Sequence, residues 1–148
     1  MACKPRLRCS WPVRLLAVAA TGLWLASAIV QPALSDSAWF DLCGSGKRHT
    51  CVVDGDTVWL RGEKIRLEGI DAPELGNPGC RHEAALAHEA RQRLAVILNG
   101  HSWVLTRHGK DRYGRTLGRF NIGRQTAGSM LVAAGLARVW TGRREPWC

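Results

Sequence analysis

Residues 51–74 read CVVDGDTVWLRGEKIRLEGIDAPE, and the pattern of these residues predicts the central element of the fold. In residues 56–61 and again in residues 65–69, alternate positions are apolar, which is the period of a half-buried β-strand. The intervening Arg61-Gly62-Glu63-Lys64 has the composition of a tight turn. The pattern therefore predicts a β-hairpin with one buried face.

The position of the turn predicts which residues of the hairpin face one another. We place Gly62 and Glu63 at its centre, which makes apolar side chains meet across the two strands, as one buried face demands. The pairs in that register are Leu60 with Ile65 and Val58 with Leu67.

Two carboxylates then meet at the open end of the hairpin. The same register places Asp56 opposite Gly69, which is two residues from Asp71. Pro73 ends the strand because it lacks a backbone donor, so Glu74 lies on the loop leaving that end. Carboxylates about one strand spacing apart suit a hard divalent cation such as Ca²⁺ or Mg²⁺. Taken alone, the DGDT motif is equally typical of an ordinary turn.

The length and the net charge of the chain limit the number of domains and indicate the charge of its partner. The chain has 148 residues, enough for one domain plus an N-terminal appendage. Its formal charge is +9, and the first fourteen residues hold four basic side chains and no acid, which leaves +5 on the remainder. This balance favours an anionic partner.

Residues 1–35 have the composition of an export signal or N-terminal anchor. A basic start precedes a largely apolar run over residues 15–30, and small residues follow it. The run is slightly short for a membrane span, which needs about 20 apolar residues. We expect an exported protein, periplasmic or secreted, with an uncleaved anchor formed by residues 12–30 as the alternative. Residues 36–148 are then the folded domain.

The cysteines fit an oxidising compartment. Cys3 and Cys9 precede the apolar run, and an even number of cysteines follows it, which predicts two disulfides. Those cysteines are Cys43, Cys51, Cys80 and Cys148. Three pairings are possible and the sequence does not choose among them, although we favour Cys43 with Cys51 and Cys80 with Cys148.

No zinc site is predicted. None of the cysteine spacings is C-x-x-C. His82 and His88 each precede a glutamate, but six residues separate them, so they do not form the zinc pair of H-E-x-x-H. We expect both histidines at the surface.

The remaining elements define the fold class. Helical periodicity occurs in residues 81–98 and 126–134, and strand patterns occur in residues 102–108 and 117–122. The strands do not alternate with crossover helices, which excludes a parallel α/β sheet. We therefore predict a mainly β, α+β fold: a small β-barrel capped by two helices.

The polar loop before the last long strand is a second informative stretch. Arg115 follows a glycine there and lies near Lys110, Arg112 and Tyr113. Clustered guanidiniums beside an aromatic ring are typical of an anion site. A solvated basic hairpin tip is the alternative interpretation of this loop.

Four blocks together carry a family resemblance. DGDTVWL, IRLEGIDAPE, DRYGR and LVAAGLARV occur in this order, with a helix between the second and third. In this arrangement the chain resembles the staphylococcal nuclease (thermonuclease) family from residue 52 to residue 140. The resemblance implies a five-stranded OB-fold barrel with attached helices, whose barrel face binds single-stranded nucleic acid.

The resemblance also implies a role for individual positions. The implied calcium ligands are Asp56, Asp71 and the backbone carbonyl of Ala72, with Asp54 close to the metal. The implied catalytic residues are Arg66, Glu74 and Arg115, and Tyr113 is the implied phosphate contact. The implied reaction cleaves the 5′ O–P bond of DNA and RNA and leaves 3′-phosphate ends. We expect a monomer that needs Ca²⁺ and no small-molecule cofactor.

Two features of the sequence differ from what a flat hairpin or the family pattern predicts. In a flat hairpin Arg66 points away from Asp56, so we predict a bulge or sharp bend near Glu68-Gly69. Where the best-known members of the family carry tyrosines just after the GLA-x-V block, this sequence has Thr141 and Arg143.

Three functions are consistent with the sequence. A Ca²⁺-dependent nuclease is favoured because every implied catalytic position is filled. The alternatives are a non-catalytic OB-fold module that binds nucleic acid and an exported protein that binds another polyanion.

Overall fold

The computed structural model of the chain describes residues 36–148, so the predicted export signal lies outside the described residues. No helix within residues 36–148 is long and apolar enough to cross a membrane. The strands are β1 (Asp41–Leu42), β2 (Cys51–Asp54), β3 (Thr57–Leu60), β4 (Glu63–Leu67), β5 (Ile70–Asp71), β6 (Val104–Lys110), β7 (Thr116–Ile122), β8 (Gln125–Thr126) and β9 (Arg138–Val139). The helices are α1 (Arg81–Gly100) and α2 (Ala127–Ala133).

Most strands join one sheet, in the order β1-β2-β3-β4-β7-β6, and β8 pairs with β7. The β4–β7 and β1–β2 pairs are parallel and the others are antiparallel. The hydrogen-bonded path ends at β1 and β6 without closing, and β5 and β9 form a separate two-stranded sheet. Predominant strands with two helices confirm the predicted α+β, OB-type fold class.

The β3–β4 hairpin forms as predicted, but its predicted register is wrong by two residues. Val58 lies opposite Ile65 and Leu60 lies opposite Glu63. A shift of two residues keeps each side chain on the same face of the sheet, because the side-chain period of a strand is two. Val58, Ile65 and Leu67 are accordingly buried, as the alternation predicts.

The turn explains the error in register. Arg61 and Gly62 are its two central residues, with φ of 50° and 85°. Two successive left-handed residues are typical of the tight two-residue turn that matches the twist of a hairpin. Asp56 therefore lies beside Leu67, whose N–H donates to its carbonyl at 2.7 Å, and not opposite Gly69.

Aromatic rings fill the core between the sheet and α1. Phe40, Trp103 and Phe120 pack edge to face, with ring centroids 5.0 to 6.1 Å apart. Each is 1% exposed, and the Trp103 indole N–H donates to the carbonyl of Leu98 at the end of α1. Burial of these large side chains fixes the helix against the sheet.

Both helices begin near their predicted residues. Helix α1 starts at Arg81 and continues two residues beyond its predicted end at Leu98. Helix α2 is capped by Thr126, whose side chain accepts from the N–H of Ser129 while the Ser129 hydroxyl accepts from the N–H of Thr126. This reciprocal arrangement is a capping box.

Both favoured disulfides form. Cys43 bonds to Cys51 and closes a short polar loop beside β2. Cys80, the residue preceding α1, bonds to Cys148 and ties the end of the chain to that helix.

Candidate active site

One cavity of about 1160 Å³ lies where the ends of β4 and β5 meet the loop after β6 and the C-terminal segment. It brings together all the side chains implied as catalytic, metal-binding or substrate-binding. Those lining it are Asp56, Arg66, Asp71, Glu74, Tyr113 and Arg115.

Arg66 connects the two carboxylates implied as metal ligands. Its Nη1 forms an ion pair with Oδ2 of Asp56, and its Nη2 lies 3.8 Å from Oδ1 of Asp71. Nη2 also donates to the carbonyl of Ile70 at 3.3 Å, and Thr57 donates to the other oxygen of Asp56 at 2.8 Å. Asp56 and Asp71 are both buried, and a single guanidinium reaches both carboxylates.

The predicted bend near Glu68-Gly69 is confirmed. Strand β4 ends at Leu67, and Glu68-Gly69 form a turn in which Gly69 has φ of 80°. The chain then reverses so that Asp71 approaches Arg66. Asp56 also lies in a turn, just before β3, and its side chain need not follow the alternation of that strand.

Gly55 allows this turn to sit directly on helix α1 and on the loop that carries the implied metal carbonyl. A Cβ at Gly55 would lie 2.7 Å from the Cβ atoms of both Ala72 and Ala90. Real Cβ atoms do not approach so closely, so only glycine fits. The DGDT motif is therefore more than an ordinary turn, because its glycine is required by tertiary contact.

The carboxyl group of Asp54 has a raised pKa. Burial raises the pKa of Asp54 to about 7, and the negative charge of Asp56 adds to the effect. The Asp54 carboxylate also accepts from the N–H of Asp56 at 3.2 Å. Asp54 therefore contacts the backbone of an implied ligand, which is consistent with a supporting position beside the metal.

Glu83, which the sequence patterns did not single out, holds the backbone of Glu74. The N–H of Glu74 donates to Oε1 of Glu83 at 3.0 Å, and the N–H of Gly79 donates to Oε2 of Glu83 at 2.6 Å. These backbone hydrogen bonds, from Glu74 first and then Gly79, lower the pKa of Glu83. Glu83 is buried in the first turn of α1. An acid just after the start of a helix was the available signal, but it is also common for purely helical reasons.

Arg115 is fixed by an aspartate within its own loop. Its Nε and Nη2 both lie 2.7 Å from Oδ2 of Asp111, and Oδ1 accepts from the N–H groups of Tyr113 and Arg115. Burial alone would raise the pKa of Asp111, but the hydrogen bonds from Arg115 and from the backbone lower it overall. Arg115 is therefore half-buried and oriented, not a freely solvated hairpin tip.

Two aromatic rings flank the cavity. Tyr113 is 68% exposed, and the guanidinium of Arg115 lies 5.5 Å from its ring. Trp140 is 41% exposed, and the guanidinium of Arg66 lies 5.9 Å from its ring. Exposed rings beside guanidiniums provide surfaces on which bases can stack.

Arg144 is a second residue that sequence reasoning missed. Its guanidinium lies against three oxygens of the implied site. The distances are 3.4 Å to Oδ1 of Asp71, 3.4 Å to the carbonyl of Ala72 and 3.0 Å to Oε2 of Glu74. No motif surrounds Arg144 in the sequence. The only indirect signal was the nearby Cys148, which ties this segment to α1.

The donor atoms fit a hard cation. Within residues 36–148, no three or more His, Cys, Asp or Glu side chains form a cluster that could hold a metal by themselves. The implied set instead combines the carboxylates of Asp56 and Asp71 with the carbonyl of Ala72. These are the oxygen ligands that Ca²⁺ and Mg²⁺ prefer, usually completed by water or substrate oxygens.

Comparison with known proteins adds independent information. Residues 64–146 match the family described as Staphylococcal nuclease homologue, a span that begins after Asp56. The chain is 38% identical over 96 residues to "Micrococcal nuclease" of Shigella flexneri, covering 62% of this chain and 49% of that protein. It is 31% identical over 102 residues to "Uncharacterized endonuclease" of Haemophilus influenzae, covering 63% and 53%.

A third relative is "Thermonuclease" of Staphylococcus intermedius, 30% identical over 99 residues, covering 59% of this chain and 55% of that protein. The chain thus spans about half the length of these curated relatives.

Proposed function

The chain belongs to the staphylococcal nuclease family, and from that premise we propose that it is a Ca²⁺-dependent nuclease acting on single-stranded DNA and RNA. It hydrolyses phosphodiester bonds and leaves 3′-phosphate ends. The observation that carries this proposal is the convergence of Asp56, Arg66, Asp71, Glu74 and Arg115 on one cavity.

The charges in this cavity suit phosphodiester hydrolysis. The phosphate gains about one negative charge on the way to a pentacoordinate arrangement, so positive charge must already be in place. Arg66 and Arg115 each bring to the cavity a guanidinium that stays charged and can donate to phosphate oxygens. Asp56, Asp71 and the Ala72 carbonyl would hold Ca²⁺, which would supply a further positive charge for the phosphoryl oxygens.

Glu74 activates the attacking water. The carboxylate accepts one proton from this water as the oxygen bonds to phosphorus, and the bond from phosphorus to the 5′ oxygen breaks. The 5′ oxygen leaves and takes a proton from solvent, and the phosphate stays on the 3′ side. The hydrogen bond from the Glu74 N–H to Glu83 holds the loop that presents this carboxylate.

The surroundings of the site support a single-stranded substrate. Lys64, Arg112 and Arg143 line the same cavity and add positive charge along the backbone of a bound strand. Tyr113 and Trp140 are exposed where unpaired bases can stack, a contact worth ~1–3 kcal/mol per base.

Cleavage of labelled single-stranded DNA and RNA, with Ca²⁺ or with chelator, tests the proposal. We expect fragments only with Ca²⁺, and their mobility should change after phosphatase removes the 3′-phosphate. Retention of the strand without fragments would instead support the alternative, a non-catalytic OB-fold module. That alternative has one observation in its favour, since Arg144 contacts three of the implied functional oxygens.

We further propose that the protein is exported, periplasmic or secreted, and acts as a monomer. The two disulfides in residues 36–148 support an oxidising compartment. Sequencing the N-terminus of the mature protein distinguishes cleavage near residue 35 from retention of an anchor. Light scattering gives the oligomeric state.

A further inference from the structure

The C-terminal segment, residues 140–148, is fixed at both ends beside the cavity. At its start, β9 pairs with β5, and the N–H of Trp140 donates to the carbonyl of Gly69 at 2.9 Å. At its end, Cys148 bonds to Cys80. The path of this segment is therefore restricted to the rim that carries Asp71.

Contacts with Arg138 of β9 further limit the path of the segment. The guanidinium of Arg138 lies 3.9 Å from the ring of Trp147 and donates to the carbonyl of Pro146 at 2.9 Å. Trp147 is 7% exposed. The segment thus folds back on β9, and it presents Arg144 to the cavity from a constrained backbone.

The guanidinium of Arg144 contacts three oxygens that lie in or beside the proposed cation site. Its Nε, Nη2 and Nη1 lie against Asp71, the Ala72 carbonyl and Glu74 respectively. Two of these three groups belong to the cation set described above. A guanidinium and a cation cannot use the same lone pairs together, and two positive charges at this separation repel each other.

We propose that Arg144 competes with the divalent cation for these oxygens and thereby sets the cation concentration at which the site fills. The inference rests on the proposed function for the identity of the cation site. Because the segment is fixed at both ends, Arg144 has a high effective concentration at the site. The Cys80–Cys148 disulfide is thus part of the competition, since it restricts the segment that carries Arg144.

The adjacent arginine provides a matched control. Arg143 also lines the cavity, but its side chain is 81% exposed and its ion pair is with Glu145 in the same segment. Arg143→Gln removes the same formal charge as Arg144→Gln. It leaves the contacts to Asp71, Ala72 and Glu74 in place.

The test is calorimetric titration of the purified protein with Ca²⁺, without nucleic acid. We expect Arg144→Gln to bind Ca²⁺ about tenfold more tightly than the wild type, because charge-assisted competing hydrogen bonds are lost. Arg143→Gln should change the affinity by less than about threefold, since exposed charges are screened. Arg144→Lys, which keeps the charge without the fork, should fall between the wild type and Arg144→Gln.

Equal affinities for the two glutamine variants, weaker binding by Arg144→Gln, or no Ca²⁺ binding by any variant would overturn the inference. If the expected affinities are found but the wild type cleaves no nucleic acid, the inference stands and the proposed function fails. The two failures are therefore distinguishable.

The role of the disulfide has its own test. Replacing Cys80 and Cys148 by serine should tighten Ca²⁺ binding in the wild-type background, because the released segment holds Arg144 at the site less often. The same replacement should have little effect in the Arg144→Gln background. A tightening of equal size in both backgrounds would show that the disulfide acts independently of Arg144 and would overturn its part in the competition.

Discussion

The carboxylate of Glu83 accepts a hydrogen bond from the backbone N–H of Glu74 at 3.0 Å. A buried side chain in the first turn of α1 thus holds the loop that presents the proposed general base. Its second oxygen accepts from Gly79, so one carboxylate fixes both ends of that loop. We regard Glu83 as a positioning residue, because it acts through Glu74 and does not line the cavity.

Glu83→Gln should lower both activity and stability. An amide retains one acceptor but turns a donor toward one of the two N–H groups, and loss of a charge-assisted hydrogen bond costs ~1.5–3 kcal/mol. We expect kcat to fall more than KM rises, since the substrate-binding groups remain. Urea unfolding and steady-state kinetics measure the two effects. Glu89→Gln, an exposed position on the same helix, is the control and should change neither.

The stability supplied by Glu83 should depend on pH. Its pKa in the folded protein is below the usual 4.5, so its contribution is fully present above that value. The contribution is lost as the pH falls through the folded-state pKa. The free energy of unfolding of the wild type should therefore exceed that of Glu83→Gln by more at pH 7 than at pH 3. An equal difference at both pH values would contradict this account.

Arg115→Ala should remove most of the cleavage activity. Loss of one preorganised charge-stabilising group typically costs 10²–10³-fold in kcat, as a rough guide. Replacing a fully exposed loop arginine by alanine would lower the free energy of unfolding by less than ~0.5 kcal/mol. Here Arg115 is half-buried and paired with Asp111, so we expect a loss of about 1 kcal/mol.

Arg112→Ala is the matched control for Arg115→Ala. It removes the same charge from the same loop, and its guanidinium lies 4.8 Å from the same Tyr113 ring, but it is exposed. Cleavage by Arg112→Ala should stay within a few fold of the wild type. Comparable losses in the two variants would assign the effect to loop charge and not to Arg115.

Gly55→Ala should destabilise the protein and weaken cation binding. The added Cβ would clash with Ala72 and Ala90, and overpacking of this kind costs ~1–3 kcal/mol. Displacement of Ala72 also moves a proposed ligand. Gly46→Ala meets nothing within 4 Å and should leave the thermal midpoint nearly unchanged. A normal midpoint for Gly55→Ala would mean that the turn can move away from α1.

The two disulfides should contribute unequally to stability. Cys80–Cys148 spans a sequence separation of 68, whereas Cys43–Cys51 spans 8. Loop-closure entropy then favours the longer bridge by about 2 kcal/mol. Paired serine substitutions followed by chemical unfolding test the order. A larger loss on removal of Cys43–Cys51 would show that contacts within residues 44–50 outweigh chain entropy.

Sequence patterns predicted the helices and strands because each element depends on residues close to one another in the chain. Alternation in β3 and β4 identified the buried face, and helical periodicity located α1 and α2. The hairpin register was wrong by two because Gly62 can occupy either central position of a turn. The choice depended on Arg61 accepting a left-handed conformation, which the sequence of the turn does not reveal.

Sequence patterns were enough to predict the fold class, the two helices and the residue types that meet at the end of the hairpin. Two contacts could be seen only in the folded chain: Glu83 holds the loop of Glu74, and Arg144 contacts Asp71, which is 73 residues away in the sequence. The difference follows from the separation along the chain over which each interaction acts. Periodicity and turn chemistry act over a few residues, whereas an ion pair between distant segments depends on how β9 and the Cys80–Cys148 bridge direct the chain.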